Sequence, residues 1–300
     1  MRPVRAVRVR IPASTSNLGP GFDVLGMALT LYNEITVERS EKLVVDIRGE
    51  GSGSLPEDGR NLVVRAFRAL MPRSGFRFRM TNRIPLGRGL GSSAAARLGG
   101  LLAAAFLGPR RPPPGETVLR ACSLEGHPDN AVPAFFGGLC ASRYEGGKLQ
   151  FVRLRRPKGL SVVACVPDFE VPTEKARAIL PKRVPLKVAV QTASRLAMLL
   201  AAFEHRQYEL LRSAMDDVLH QPYRKKLTPG MDAVIRAAVS AGAFGAALSG
   251  SGPTVLAFVP EGKAGAAARS MERAFRRVRI ASRSLRLGVD LEGARVECEP

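Results

Sequence analysis

The chain has 300 residues, of which 45% are hydrophobic and 24% are charged, a composition that is typical of globular proteins and argues against disorder. Its length suggests two domains or one large domain. Four scattered cysteines and three histidines form no metal-binding pattern and no Cys-x-x-Cys pair, so neither a structural metal nor a disulfide framework is expected.

The net charge of +20 comes mainly from arginines that are spread along the chain. A strongly basic chain can bind nucleic acid, but this one has no aromatic RNA-binding signature, recognition-helix pattern or basic tail. We interpret the charge as a solvated surface with some bias for anionic substrates. The N-terminal basic residues precede no apolar segment, and no stretch has 18 uninterrupted apolar residues. We therefore expect a cytoplasmic protein with no membrane partner and no nucleic-acid partner.

The first predicted element is a strand over residues 7–11, where apolar residues alternate with arginines, and it is expected to end at Pro12. Residues 12–23 then form a long loop rich in Ser, Asn, Gly and Pro. Asn17 and Asp23 in this loop have two explanations. They form Asx turns, or they contact the ammonium and hydroxyl groups of a small substrate.

Two strands and a helix are predicted next. Apolar and polar side chains alternate over residues 29–38 and again over residues 43–47, which indicates antiparallel strands. Residues 61–71 have the apolar spacing of a helix, and Asn61 stands where it can cap the first turn.

A strand, a glycine loop and a helix follow. Alternation over residues 76–80 predicts the strand, and Pro85 marks where it must stop. Glycine takes every second position of the loop, at Gly87, Gly89 and Gly91. These positions let a bulky anion approach the backbone and allow positive φ. Ser92 and Ser93 stand at the predicted start of the helix, whose free amide groups and dipole favour phosphate.

A second polar cluster follows a helix that begins near residue 116. It contains Glu125, His127, Asp129 and Asn130. Pro128 prevents the helix from continuing, so the segment is either a helix end with a turn or the lining of a cleft.

The pattern changes near residues 155–158, which predicts one domain over residues 1–156 and another over residues 157–300. The second half is predicted to contain a strand at 160–166, helices at 173–180, 186–203, 206–219 and 229–241, strands at 244–249 and 254–259, a helix at 263–275 and a strand at 278–285. If the four middle helices form one crossover, the order is βαββαβ, which is ferredoxin-like. Residues 249–254 form the hairpin between its central strands.

Residues 85–95, Pro-Leu-Gly-Arg-Gly-Leu-Gly-Ser-Ser-Ala-Ala, resemble the phosphate loop of the galactokinase, homoserine kinase, mevalonate kinase and phosphomevalonate kinase (GHMP) superfamily. Residues 12–23 and 125–130 resemble segments of homoserine kinases, and residues 249–254 resemble the third superfamily motif, which closes against the phosphate loop. The resemblance spans most of the chain. It implies an α+β fold with a ribosomal-protein-S5-domain-2-like N-terminal domain that binds nucleotide and a ferredoxin-like C-terminal domain.

The resemblance also implies roles for individual residues. ATP would bind to Asn61, Pro85, Leu86, Gly87, Arg88, Gly89, Leu90, Gly91, Ser92, Ser93, Ala94 and Ala95. Mg²⁺ would bind to Ser93 and Glu125, with Ser92 as an alternative. L-Homoserine would bind to Asn17, Asp23, His127, Asn130, Arg177 and Arg224. The two arginines lie in segments that resemble the family's carboxylate-binding segments, and a guanidinium can hold a carboxylate through two parallel hydrogen bonds.

The activity implied is transfer of the γ-phosphate of ATP to the side-chain hydroxyl of L-homoserine, a step of threonine biosynthesis. The catalytic base stays open: Asp129 accepts the proton, or no base is needed and Asn130 orients the hydroxyl, since phosphoryl transfer is commonly loose. One alternative is a mevalonate-type kinase of the same superfamily, which would not need both arginines. Another is a non-catalytic binding protein, against which the intact glycine loop and Glu125 count. A homodimer is compatible with the sequence but not indicated by it.

Overall fold

The structure is a computed structural model that describes residues 4–72, 75–109 and 111–299. Residues 1–3, part of the N-terminal segment interpreted above, lie outside the described residues. The strands are β1 (Ala6–Asn17), β2 (Gly21–Arg39), β3 (Val44–Gly49), β4 (Phe76–Asn82), β5 (Leu139–Glu145), β6 (Lys148–Arg153), β7 (Leu160–Pro167), β8 (Gly245–Leu248), β9 (Val255–Pro260), β10 (Ser282–Leu287) and β11 (Arg295–Glu299).

Helices connect these strands, and a 3₁₀ turn lies at Tyr208–Leu210. The helices are α1 (Leu62–Arg68), α2 (Ser92–Leu107), α3 (Pro114–Glu125), α4 (Ala131–Phe136), α5 (Thr173–Ala178), α6 (Leu186–His205), α7 (Leu211–Ala214), α8 (Gln221–Arg224), α9 (Met231–Ser240) and α10 (Ala264–Arg277). The mixture of helices and sheets confirms the predicted α+β class.

Strands β1 to β6 of the N-terminal half and the C-terminal strand β11 form a seven-stranded sheet. Its order is β11-β1-β2-β4-β3, with β5 paired to β2 and β6 paired to β5. Apolar residues of this sheet pack against α1 and α2 in a continuous core. Strand β1 runs on through Pro12 to Asn17, so the predicted end at Pro12 and much of the predicted loop are wrong. The register with β2 shifts between Pro12 and Ala13, and such an irregularity accommodates a proline that cannot donate a ladder hydrogen bond.

Strand β3 also differs from the expectation. It pairs with β4 in parallel, whereas β2 pairs with β1 and β4 antiparallel. The reason is that helix α1 lies between β3 and β4 in the chain, and a helical crossover returns the chain in the same direction.

The second sheet has the order β10-β7-β9-β8, and its three pairings are antiparallel. This is the ferredoxin-like arrangement predicted from the βαββαβ order. One face of this second sheet packs on α9 and α10. The predicted helix at 206–219 is only partly correct, because the carboxylate of Asp217 accepts hydrogen bonds from the backbone N–H groups of Leu219, His220 and Gln221 and turns the chain into α8. Strand β10 begins at Ser282 rather than at residue 278, because α10 continues to Arg277.

The last strand, β11, returns to the first sheet and pairs with β1. Its residues belong to the segment 157–300 that the sequence assigns to a second domain. The division between residues 156 and 157 stays a prediction.

Helix α6 lies in the long connection between β7 and β8. Within the described part of the chain, it is the one helix long and apolar enough to cross a membrane, with a mean hydropathy of 1.3. It packs through Leu199, Ala202 and Phe203 against other buried residues. Length and composition by themselves are weak evidence for a membrane span.

Candidate active site

The glycine loop joins β4 to α2 and presses against the hairpin between β8 and β9. Gly89 has a φ of +74°, and a Cβ at this position would lie 2.1 Å from the carbonyl oxygen of Ser249. The hydroxyl of Ser249 donates a hydrogen bond of 2.6 Å to the carbonyl of Gly89. Glycine is therefore required at residue 89 by the close approach of two backbones as well as by φ.

The end of β1 joins the same arrangement. The N–H group of Gly250 donates to the carbonyl of Ser16 at 3.0 Å, and the amide of Asn17 donates to the carbonyl of Gly250 at 2.9 Å. Oδ1 of Asn17 accepts a hydrogen bond from the N–H group of Asp23. Segments that are far apart in the sequence therefore meet around one cleft.

Most of the predicted site residues line this cleft. They are Asn17, Asp23, Pro85, Gly87, Arg88, Gly89, Leu90, Gly91, Ser92, Ser93, Ala94, Glu125, His127, Asp129, Asn130, Arg177 and Arg224. Three predicted nucleotide contacts do not line it. Asn61 and Leu86 line a neighbouring cavity, whereas Ala95 is fully buried and lines neither.

The neighbouring cavity has a volume of about 290 Å³, has mainly apolar walls and shares Gly87, Ser92 and Ser93 with the cleft. Asn61 caps α1, since its Oδ1 accepts from the N–H group of Val63 at 2.9 Å. Its Nδ2 donates to the carbonyl of Pro56. The predicted cap is confirmed. Both ends of the amide are engaged within the protein. Contact of Asn61 with a nucleotide base stays a prediction.

Ser93 and Glu125 meet where the start of α2 faces the end of α3. Ser93 Oγ donates to Glu125 Oε1 at 3.0 Å. Adjacent ligands of an octahedral Mg²⁺ lie about 2.9 Å apart when metal–oxygen bonds are about 2.0–2.1 Å, and Mg²⁺ prefers oxygen ligands of this kind. The two residues therefore fit the metal role predicted for them. Nη1 of Arg97 donates to both oxygens.

The opposite side of the cleft carries an ion pair and a buried arginine. Arg177 donates two hydrogen bonds, of 2.8 and 2.9 Å, to the carboxylate of Asp23. Arg224 is 2% exposed and donates to the carbonyls of Ala176 and Gly250, and no carboxylate in the described part of the chain forms an ion pair with it. Burial lowers the pKa of Arg224 to about 10, and the charge of Arg177 acts in the same direction.

Two buried residues, His127 and Asp129, form a hydrogen-bonded group with the half-buried Asn130. Nδ1 of His127 bonds to Oδ1 of Asp129. Burial lowers the pKa of His127, but the hydrogen bond and the charge of Asp129 outweigh burial, so the pKa is raised above its ordinary 6.5. Asn130 accepts from Ser14 Oγ at 3.0 Å and donates to Ser16 Oγ at 3.1 Å. Asn130, which precedes α4, is thus held by hydrogen bonds to the end of β1.

Arg88 lines the cleft without aiming all its donors into it. Its Nε donates to the carbonyl of Phe169 at 2.7 Å, and its Nη2 lies 3.5 Å from a carboxylate oxygen of Asp168. The guanidinium therefore ties the glycine loop to the segment after β7.

Comparison with known families covers both halves of the chain. Residues 61–138 match the family described as GHMP kinases N terminal domain, and residues 199–277 match GHMP kinases C terminal. The chain belongs to the GHMP kinase family.

Individual relatives agree with this assignment. The GHMP kinase chain is 46% identical to a homoserine kinase of Carboxydothermus hydrogenoformans over 277 aligned residues. The aligned region covers 90% of each protein. The crystal structure of a homoserine kinase from Cytophaga hutchinsonii aligns with a TM-score of 0.87 at 31% identity over 98% of each chain. The mevalonate kinase of Methanococcus jannaschii shares the fold, with a TM-score of 0.69 at 15% identity over 96% of this chain and 99% of that one.

Sequence reasoning missed several residues of this GHMP kinase that lie at the site. Ser16 and Thr173 line the cleft, and Arg97 contacts the Ser93–Glu125 pair. Arg97 could have been found from spacing, since it stands four residues after Ser93 on a predicted helix and so shares its face. Ser16 lies within residues 12–23, whose resemblance to a homoserine kinase segment could have marked it.

Proposed function

We propose that this chain is a homoserine kinase, which transfers the γ-phosphate of ATP to the side-chain hydroxyl of L-homoserine in threonine biosynthesis. The observation that carries the proposal is that one cleft has the glycine loop at one side and two arginines with two carboxylates at the other. Such a cleft can hold polyphosphate and a zwitterionic amino acid side by side. Relatives named homoserine kinase support the same substrate.

ATP is proposed to span the cleft and the neighbouring cavity. The base would enter the apolar cavity beside Asn61 and Leu86, and the phosphates would lie against the glycine loop. The first-turn amide groups of α2 and its dipole attract the phosphate charge, because Gly91 precedes the helix with no side-chain cap to use those donors.

Mg²⁺ is the proposed cofactor, with Ser93 and Glu125 as its protein ligands. When bound, it would neutralise charge on the β- and γ-phosphates. Ser93 Oγ and Glu125 Oε1 supply the two hard oxygen donors that such an ion needs.

The amino-acid end of homoserine is proposed to lie among the charged side chains. Asp23, His127 and Asp129 each place a polar atom within 4.8 Å of the others. The ammonium group is proposed to lie beside Asp23. Arg177 and Arg224 would receive the substrate carboxylate. Arg224 is free of any carboxylate partner within the described residues, whereas Arg177 would be shared with Asp23. Asn17 holds the backbone of this subsite through Gly250 and Asp23.

Asp129 is the proposed base and Asn130 the residue that orients the acceptor hydroxyl. Oδ1 of Asp129 is bonded to His127, and no hydrogen bond to Oδ2 is found within the described residues. That oxygen is therefore the candidate acceptor for the proton. Loose phosphoryl transfer requires little deprotonation, so positioning by Asn130 is the alternative to a base.

The proposal includes a cytoplasmic enzyme that acts on free L-homoserine and ATP, without a nucleic-acid or membrane partner. A homodimer is compatible with it. Leu186 and Val190 are exposed apolar side chains on α6, and this face is where a second copy would pack. Sedimentation measures whether the protein forms dimers.

The test of the proposed function is ADP release from Mg-ATP, with L-homoserine, D-homoserine, L-serine, mevalonate and galactose offered separately. Turnover with L-homoserine alone is expected. Turnover with mevalonate or galactose instead would keep the phosphate site and overturn the substrate residues. No ADP release with any of the five compounds, despite ATP binding, would favour a non-catalytic protein.

A further inference from the structure

Arg97 stands against the two residues proposed to hold the metal. It lies one turn after Ser93 on α2, and its Nη1 donates both to Ser93 Oγ and to Glu125 Oε1. The side chain of Glu125 is 9% exposed and that of Arg97 is 23% exposed. The contact is therefore partly shielded from water, where charges interact more strongly than at an open surface.

This placement has a direct consequence for cation binding. One guanidinium nitrogen occupies the position between two oxygens that a directly bound cation would take. Two cations at contact distance repel each other strongly in a partly buried site. A divalent ion that approaches the empty protein must therefore displace Arg97 from both oxygens.

We propose that Arg97 keeps the Ser93–Glu125 site closed to free divalent cations and leaves it when nucleotide phosphates bind. This inference rests on the proposed function in taking Ser93 and Glu125 as the metal ligands. Phosphate oxygens are strong partners for a guanidinium, which binds them through paired hydrogen bonds. The glycine loop would place those oxygens beside the first turns of α2. The nucleotide would thus supply a new partner for Arg97 and deliver the metal in the same event.

The experiment measures binding of Mn²⁺, a paramagnetic substitute for Mg²⁺, to nucleotide-free protein by the loss of the free-ion resonance signal. Arg97→Gln is expected to bind Mn²⁺ at least about tenfold more tightly than the unsubstituted protein, because a competing charge is removed. Arg97→Lys keeps the charge and is expected to bind as weakly as the unsubstituted protein. Arg120→Gln is the matched control, since the ion pair of Arg120 with Glu116 is exposed to solvent and involves neither Ser93 nor Glu125.

Two further measurements separate the proposal from a general change in stability. The gain in Arg97→Gln is expected to disappear in Arg97→Gln/Glu125→Gln, and Mn²⁺ is expected to raise the melting temperature of Arg97→Gln but not of the unsubstituted protein. Equal Mn²⁺ binding by Arg97→Gln and the unsubstituted protein would overturn the proposal.

The remaining outcomes are also decisive. If Arg97→Gln does not fold, Mn²⁺ binding to the nucleotide-free unsubstituted protein that is lost in Glu125→Gln would still overturn the proposal, because the site would then be open. Absence of that binding would support it if ADP then produces Mn²⁺ binding beyond that of ADP alone and Glu125→Gln removes the additional binding. None of these measurements needs homoserine turnover, so a failed proposed function and a failed role for Arg97 give different results.

Discussion

Every charged side chain at the amino-acid end of the cleft is placed by contacts within the protein. Asp23 is paired with Arg177, Asp129 is bonded to His127, and Arg224 is held by backbone carbonyls. Binding of a zwitterion therefore exchanges one set of ionic contacts for another, with little new burial of unpaired charge. At the scale of single residues, this exchange is what substitutions can test.

Replacing Asp129 by Asn tests the base. If Asp129 accepts the hydroxyl proton, kcat is expected to fall by about 10²–10⁴-fold, which is the usual contribution of general base catalysis. The measurement is kcat and KM in the ADP-release assay. Near-normal kcat would instead leave positioning by Asn130 as the mechanism and remove Asp129 as an essential base.

Replacing Arg177 by Lys tests carboxylate binding. Lysine cannot form two parallel hydrogen bonds, so KM for L-homoserine is expected to rise about tenfold or more while KM for ATP changes little. The control is Lys175→Ala, which removes an exposed cation on the same helix. An unchanged KM for homoserine in Arg177→Lys would indicate that Arg177 serves only to hold Asp23.

The pKa values of two histidines are expected to be shifted in opposite directions from the ordinary value, and NMR titration measures both. The pKa of His127 is raised above 6.5 and that of His220 is lowered by burial. His127 therefore contributes stability that is fully present below pH 6.5 and is lost as pH rises through its raised pKa. In Asp129→Asn, the pKa of His127 is expected to fall, since its charged partner is gone. His205→Gln assigns the third signal. An unchanged pKa of His127 in Asp129→Asn would contradict the assignment of its shift to Asp129.

At the scale of elements, the glycine loop and the β8–β9 hairpin act as one unit. Their backbones approach so closely at Gly89 and Ser249 that only glycine fits. Ser249 Oγ also bonds to Thr15 on β1, so the loop is held by the second sheet and by the end of the first. The phosphate binding proposed for the loop would thus depend on both halves of the chain.

The pair Gly89→Ala and Gly53→Ala separates this contact from backbone strain. Both glycines have a φ of +74°, but a Cβ at Gly53 would meet nothing within 4 Å. Both variants are expected to lose about 1–2 kcal/mol of stability from the left-handed conformation. Gly89→Ala is expected to lose about 1–3 kcal/mol more from overpacking and to bind ATP more weakly.

Urea unfolding and titration with ATP measure these two effects. Equal losses in the two variants would show that the approach of the loop to the hairpin contributes nothing beyond φ. Unchanged ATP affinity in Gly89→Ala would separate the loop geometry from nucleotide binding.

At the scale of the whole molecule, 46 basic and 26 acidic side chains give the net charge of +20, and several of the acidic side chains pair with arginines at the surface. On the outer face of the first sheet, arginines pair with glutamates on neighbouring strands, as in Arg8–Glu34 and Arg79–Glu38. Such exposed pairs add little stability, but they interrupt any continuous basic surface.

The protein is therefore expected to bind DNA and RNA no more tightly than about 10⁻⁴ M at about 0.15 M salt, the weak limit of non-specific binding. Fluorescence anisotropy with labelled oligonucleotides at two salt concentrations provides the measurement. Micromolar affinity that falls steeply with salt would contradict this expectation and show that the charge serves a nucleic-acid partner.

Sequence reasoning predicted the elements whose signal is local. The strand–glycine loop–helix unit and the ferredoxin-like order depend on periodicity and turn residues, and both are present in the structure. Two of the errors fall where strand pairing decides. Pro12 is tolerated inside β1 because the register shifts beside it, and β3 runs parallel to β4 because α1 separates them.

What the sequence by itself determined is the family of the protein. Its motifs indicated the GHMP kinase family and most residues of the cleft, since a phosphate loop requires particular residue types at adjacent positions. Only the tertiary structure decided which side chains share a contact. It placed Arg97 on the Ser93–Glu125 pair, Arg177 on Asp23 and β11 on β1. These partners are distant in the chain, apart from Arg97 and Ser93, and distance across a fold is set by packing rather than by any local pattern.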